Sequence, residues 1–177
     1  QSKKKDFIVD DKIFPQTLAV LETRAKPLGI NIIKIDLNAS ISISFFADAF
    51  GFITQLPNNY GNLKHRDGVL RLAEACKCMK IVIVDPMCQV LMKPVGEMGF
   101  DVAVGSMQRF GVPLGFGGPH AAFFATSDKY KRKIPGRIVG QSVDAHGNSA
   151  LRLALQTREQ HILSLIHISE PTRLDDI

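Results

Sequence analysis

The feature that most constrains this chain is a helix-like stretch that feeds a short run apolar at every position. DGVLRLAEACKCM (67–79) puts Val69, Leu72, Ala73 and Cys76 on one side of a helix, with Asp67 placed to cap its first turn. IVIVD (81–85) follows, and its first four residues leave no polar face. A strand that is apolar on both sides must be covered on both sides, which is the situation of a parallel sheet with helical crossovers. FDVAVGS (100–106) repeats the pattern more weakly.

The rest of the chain extends the alternation. FIV (7–9) predicts a short strand. Pro15 sits where a first helical turn tolerates it, and Leu18, Leu21, Ala25 and Leu28 follow at helical spacing until Pro27 and Gly29 end the helix. NIIKID (31–36), SISISFF (40–46) and FGFITQL (50–56) predict three strands, PNNYGN a turn, AAFFAT (121–126) a strand and DKYKRK (128–133) a helix. ALRLALQTREQHI (150–162) predicts a further helical stretch from the spacing of Leu151, Leu155 and Arg158. Strands alternating with helices specify an α/β class, a mostly parallel sheet flanked by helices, with right-handed crossovers. No short-period repeat and no linker interrupts residues 1–162, which read as one domain. LSLIHISEPTRLDDI (163–177) continues no pattern and reads as translated adapter sequence, a non-native tail.

Composition removes several function classes. A chain of 177 residues forms a domain that buries about 70% of its unfolded surface. No apolar tract approaches the ~20 residues a bilayer requires, so no membrane partner is expected. The net charge of +5 is concentrated in KKK (3–5) and KYKRK (129–133). No aromatic residues alternate with a basic stripe, so nucleic acid is not expected, and KYKRK reads as a solvated helix face. Cys76, Cys78 and Cys88, in a sequence without a secretion signal, predict reduced thiols of a cytosol or matrix. The C-x-C spacing is too short for a zinc knuckle, so these cysteines read as core residues and no metal is expected.

The chemistry turns on GSMQRFGVPLGFGGPH (105–120), with its five glycines and two prolines. It lacks the lysine and hydroxyl of a phosphate-cradling P-loop, and it runs into AAFFAT, a strand, where a dinucleotide fingerprint must open a helix. His120 has no second histidine or cysteine near it in sequence and reads as a hydrogen-bonded structural residue. Asp85, Asp101 and Asp144 are candidate acids, although lone acids at strand ends more often cap turns.

One arrangement carries weight. Asp85 ends a buried strand, a second strand follows about sixteen residues on, and the glycine loop begins directly after it. The carboxyl ends of adjacent parallel strands form a crevice where ligands bind. A strand-ending aspartate there is placed to hold a protonated ring nitrogen, and a lysine twenty-odd residues later to form a Schiff base, as in aminotransferase-type pyridoxal phosphate enzymes. Gln108 stands at that second place, twenty-three positions after Asp85. A carboxamide cannot form an imine. Lys93 comes too early, and the lysines from 129 onward lie beyond the next strand.

From GSMQRFGVPLGFGGPHAAFFAT through IPGRIVG, DAHG and LRLALQTREQHI, the sequence closely resembles the glycine dehydrogenase (decarboxylating) family, the P-protein of the glycine cleavage system. Weaker likeness extends through FIVDDKIFPQTLAVLETRA and DAFGFITQLPNNYGN, so it spans nearly all of residues 6–162 and ends at Leu163. The resemblance implies an aminotransferase-like fold, pyridoxal phosphate fold type I, here the large-domain part of the N-terminal half. The family is built from two related halves, in one chain or as two subunits. Its cofactor lysine belongs to the C-terminal half, in a lysine-threonine-phenylalanine, proline-histidine, multiple-glycine motif. Gln108-Arg109-Phe110, Pro113 and Gly115 to Pro119 look like the counterpart of that motif.

The resemblance therefore implies that pyridoxal 5'-phosphate is bound by the other half and not by these residues. Glycine is decarboxylated there and the aminomethyl group passes to the lipoylated H-protein. No catalytic residue is expected in this chain. Asp85, Gln108, Arg109, Gly115, Gly117, Gly118 and His120 are expected at the edge of the active site or at the interface between halves. The implied partners are the C-terminal half or subunit, H-protein and glycine. The compartment is the cytoplasm for a bacterial source and the mitochondrial matrix for a eukaryotic one. Two other readings stay open at this point: a scaffolding or regulatory module with a degenerate cofactor fold, and a small-molecule binder that uses the glycine loop for phosphate.

Overall fold

The structure is a computed structural model and describes residues 4–37, 39, 41–63, 67–117, 119–135 and 138–154. The chain divides into two compact units, Gln1–Ser127 and Asp128–Ile177.

The first unit is a six-stranded sheet. β1 (Asp6–Asp10), β2 (Asn31–Ile35), β3 (Ala49–Leu56), β4 (Met79–Val84), β5 (Val102–Ser106) and β6 (Ala122–Thr126) lie in the order β2-β1-β3-β4-β5-β6. The first five strands are parallel, and only β6 pairs antiparallel, with β5. Among the described residues three α-helices accompany the sheet: α1 (Pro15–Ala25), α2 (Ser44–Ala47) and α3 (Asp67–Ala75). α1 begins on Pro15, whose fixed φ suits a first turn. It tightens into a 3-10 turn over Lys26–Leu28 and stops at Gly29, left-handed at φ 62°. No described helix is long and apolar enough to cross a membrane.

The sheet alternation sorts the core into two layers. Ile8, Phe52, Leu56, Val82 and Val84 point to one face with Phe46 of α2 and Val69, Leu70 and Ala73 of α3. Phe7, Val9 and Ile53 point to the other face, where Leu18 and Leu21 of α1 pack. The expectation of a fully two-sided β4 holds on the α3 side alone: Val82 and Val84 are buried, while Ile81 and Ile83 are half-buried. Lys80 is also buried, on the face of Val82, with its Nζ 3.2 Å from Glu74 Oε2 and 3.8 Å from Asp101 Oδ2. The Asp101 carboxylate also accepts from the Lys80 N–H at 3.0 Å, so Asp101 is a structural acid at the start of β5.

Three expectations are corrected. Residues 41–46 are not a strand: the Ser44 N–H donates to Ser42 Oγ at 3.3 Å, and the hydroxyls of Ser42 and Ser44 lie 2.9 Å apart. The alternating serines imitate a β pattern, but their hydroxyls bond locally and turn the backbone into α2. The link from β4 to β5 holds a 3-10 segment, Pro86–Val90, and turns; Pro94, Gly96 and Gly99 break any longer helix there. In the second unit, residues 149–154 form a strand. β7 (Ile138–Val143) and β8 (Ser149–Ala154) make an antiparallel hairpin. LRLA satisfies a two-residue period as well as a helical one, and pairing with β7 decides between them. The remainder of the predicted helix and the 163–177 tail lie outside the described residues. DKYKRK is helical as expected, but of the 3-10 kind.

Of the cysteines, Cys78 is a core residue, and burial pushes its thiol up to about 11. Cys76 and Cys88 are half-buried, and all three are free thiols. Asp144 closes the β7–β8 turn, accepting from the N–H groups of His146 and Asn148 at 2.8 Å each. The Asn148 hydrogen bonds lead the causes that hold its carboxyl below the usual range.

Candidate functional site

The carboxyl ends of β1, β3, β4 and β5 meet at one edge of the first unit, and each contributes polar groups. Asp10 ends β1 and is 3% exposed. Its Oδ2 accepts from the Thr54 hydroxyl at 2.6 Å and its Oδ1 from the Lys12 N–H at 3.1 Å. Gln55, near the end of β3, accepts from the Phe14 N–H at 3.0 Å and donates to the Pro57 carbonyl at 3.2 Å. These bonds fix the turn after β1 against β3.

Burial pushes the Asp10 carboxyl above its ordinary value, outweighing the Thr54 and Lys12 hydrogen bonds that lower it. The folded state thus holds this proton more tightly than the unfolded chain. Its stabilising contribution is complete below the ordinary carboxylate pKa and is lost as pH rises through the raised folded value. Asp10→Asn keeps the hydrogen-bonding shape without the charge. Its urea midpoint relative to the parent is expected to climb from about pH 4 upward and then level off. A flat difference across pH would refute the burial account.

Next to this lies a pocket of about 260 Å³, lined among others by Phe14, Gln55, Asp85, Gly105, Ser106 and Arg109. Asp85 follows β4 and caps the 3-10 turn Pro86–Val90, its Oδ1 accepting from the Met87 N–H at 3.1 Å. Its Oδ2 is ion-paired with Arg109 Nη1. Arg109 belongs to a second 3-10 turn, Gln108–Phe110, which Gly111 ends at φ 95°. The Gln108 N–H donates to Ser106 Oγ at 3.2 Å, which ties this turn to the end of β5.

Burial, with the Asp85 charge behind it, also raises the Cys88 thiol.

Gly105 has the strictest steric requirement. A Cβ there would lie 2.2 Å from the Val84 carbonyl oxygen and 2.6 Å from a Phe123 ring carbon. The absence of a side chain is what lets β5 close on β4 beside the pocket.

The structure thus brings Asp85 and Arg109 together, with Gln108 adjacent in the same turn. Gly115 and Gly117 lie farther along the loop, in a turn whose central Phe116 is left-handed at φ 51°. Neither lines the pocket. His120 is exposed just before β6, and among the described residues no hydrogen bond holds it. Gly118 lies outside the described residues. Sequence reasoning missed the Asp10–Thr54 pair and Gln55. Asp10 had a readable signal, since FIVD ends in an acid just as IVIVD does; Gln55 had none.

Residues 1–164 match the family model of the glycine cleavage system P-protein. The chain belongs to the P-protein family. It is 58% identical over 156 residues to the glycine dehydrogenase (decarboxylating) of Synechococcus sp. (strain RCC307), covering 88% of this chain and 16% of that protein. It is 52% identical over 162 residues to one from Prochlorococcus marinus, covering 92% of this chain. The chain therefore spans about 16% of the length of these relatives. Its structure is similar to an inhibitor-bound glycine decarboxylase (P-protein), with a TM-score of 0.74 and 29% identity over 88% of this chain and 36% of that one. A cystathionine gamma-lyase from Lactobacillus plantarum shares the fold alone, at a TM-score of 0.52 and 15% identity over 73% of this chain and 34% of that one. The P-protein chain thus has the aminotransferase-like fold type I of pyridoxal phosphate enzymes.

Pyridoxal phosphate is the cofactor of this family and fold. The residues at the carboxyl edge do not fit it: position 108 carries an amide, Asp85 already faces a guanidinium, and no lysine is among the described residues lining the pocket.

Proposed function

We propose that this P-protein chain is a segment of a glycine dehydrogenase (decarboxylating) and works as structural and interface-forming support for a catalytic half that carries the cofactor. In that enzyme glycine is decarboxylated with pyridoxal phosphate, whose ring accepts the electrons released, and the aminomethyl group passes to lipoyl H-protein. The observation that carries this reading is Gln108. It opens the 3-10 turn two residues beyond β5, in a chain more than half identical to glycine dehydrogenases, and its amide cannot form an imine. The glycine-rich loop supports the interface role. It exposes Phe110, Leu114 and Phe116, three large apolar side chains that water does not favour. Residues 163–177 are a non-native tail on this reading, which is supported by a family match that ends at residue 164. A bacterial source would place the enzyme in the cytoplasm and a eukaryotic one in the mitochondrial matrix.

Coexpression tests the proposal. The chain alone is expected to catalyse no glycine–carbon dioxide exchange and to show no imine absorbance with pyridoxal phosphate. Exchange should appear when a cofactor-bearing C-terminal half is coexpressed and exceed what that half achieves alone. A coexpressed half that gains nothing from this chain favours the scaffolding reading instead. Turnover by this chain unaided would end the proposal.

A further inference from the structure

The mismatch between this site and the family's cofactor extends beyond the missing amine. β4 and β5 are adjacent and parallel, with Ile83 opposite Val104, so Asp85 and the turn after β5 emerge at one mouth of the pocket. Both carboxylate oxygens of Asp85 have partners: Oδ1 accepts from the Met87 N–H and Oδ2 faces the Arg109 guanidinium. A protonated ring nitrogen would have to share Oδ2 with that guanidinium, cation against cation, or Oδ1 with the Met87 N–H. The guanidinium is planar and permanently charged, so it offers Asp85 what such a ring would offer, at every physiological pH. Ser106 supports the arrangement by holding the Gln108 N–H and thereby setting the turn that carries Arg109. Gly105 supports it by letting β5 approach β4.

We infer that Arg109 is the chain's own occupant of the ring-nitrogen site, so that the crevice is closed to pyridoxal phosphate at two positions, 108 and 109. This rests on the reading that the chain carries no cofactor of its own, and it adds a specific consequence. Restoring an amine at position 108 is not sufficient.

The test compares the 177-residue chain in four forms: parent, Gln108→Lys, Gln108→Lys with Arg109→Met, and Gln108→Lys with Arg109→Lys. The methionine keeps the length of the stem without charge, and the lysine keeps a charge. Circular dichroism first establishes that each form is folded. Each is then titrated with pyridoxal 5'-phosphate and treated with borohydride. The amine introduced at position 108 condenses with the aldehyde carbon, water leaves, and hydride fixes the carbon–nitrogen bond. Peptide mass spectrometry reads the label at position 108.

Half-labelling of the methionine double variant is expected at a cofactor concentration up to about fivefold lower than for Gln108→Lys alone, the upper end of what one exposed ion pair contributes. The lysine double variant should stay near the single variant. Equal labelling of Gln108→Lys and the methionine double variant overturns the inference. So does a lysine double variant that labels as readily as the methionine one, or a folded methionine double variant with no label at position 108. A parent chain that takes up the cofactor at a defined residue overturns the proposed function, and this inference with it.

Discussion

Gly105→Ala is expected to destabilise the chain by about 3 kcal/mol or more, at the upper end of the range for overpacked interiors. The added methyl would sit 2.2 Å from the Val84 carbonyl oxygen. Val84 is the last residue of β4, so its carbonyl cannot swing aside as a side chain would. The Phe123 ring, 2.6 Å from the same point, could rotate, but that movement leaves the backbone clash in place. Relief requires β5 to move away from β4, which parts Asp85 from the turn bearing Arg109. Urea denaturation should show a lower midpoint at unchanged slope. Gly96→Ala is the control, because a Cβ at Gly96 meets nothing within 4 Å; its effect should stay within about 0.5 kcal/mol. Equal midpoints for the two variants would show that the close approach of β5 to β4 is wrong.

Phe46→Ala should cost about 3–5 kcal/mol, the usual loss for an aromatic side chain removed from a closed core. Phe46 is fully buried, and its ring meets Phe52 edge-on with centroids 5.9 Å apart. It packs α2 against the sheet. Phe45, its neighbour, is 46% exposed, and Phe45→Ala should change stability far less. The pair also separates α2 from the strand that the sequence pattern predicts, because a two-sided strand in this sheet would bury both rings. Comparable losses for both variants would favour the strand. Against a total stability of about 5–15 kcal/mol for an ordinary domain, either Gly105→Ala or Phe46→Ala removes a large share.

The legible parts of the fold were those in which a local pattern and its burial agree. IVIV, FIV and NIIKI carry β-branched residues in short runs between helical spacings, and all became parallel strands. α1 and α3 were readable because Pro15, Gly29 and Asp67 mark their limits. SISISFF and ALRLA were not, because each fits two periods. Local hydroxyl bonds resolved the first, and a partner strand resolved the second. The antiparallel direction of β6 had no local signature either. It follows from a connection between β5 and β6 whose described residues hold short 3-10 turns and no α-helix to carry the chain across the sheet.

The candidate site divides in the same way. Sequence alone determined that an acid follows the apolar run at 85, that an amide and no amine stands at 108, and that a glycine loop follows, since these are matters of residue type and order. Only the tertiary structure decided that Arg109 turns back onto Asp85, that Asp10 is buried against Thr54, and that Gly105 lies against the Val84 carbonyl. Each of these depends on how adjacent strands are registered, and register is set by the packing of the whole sheet.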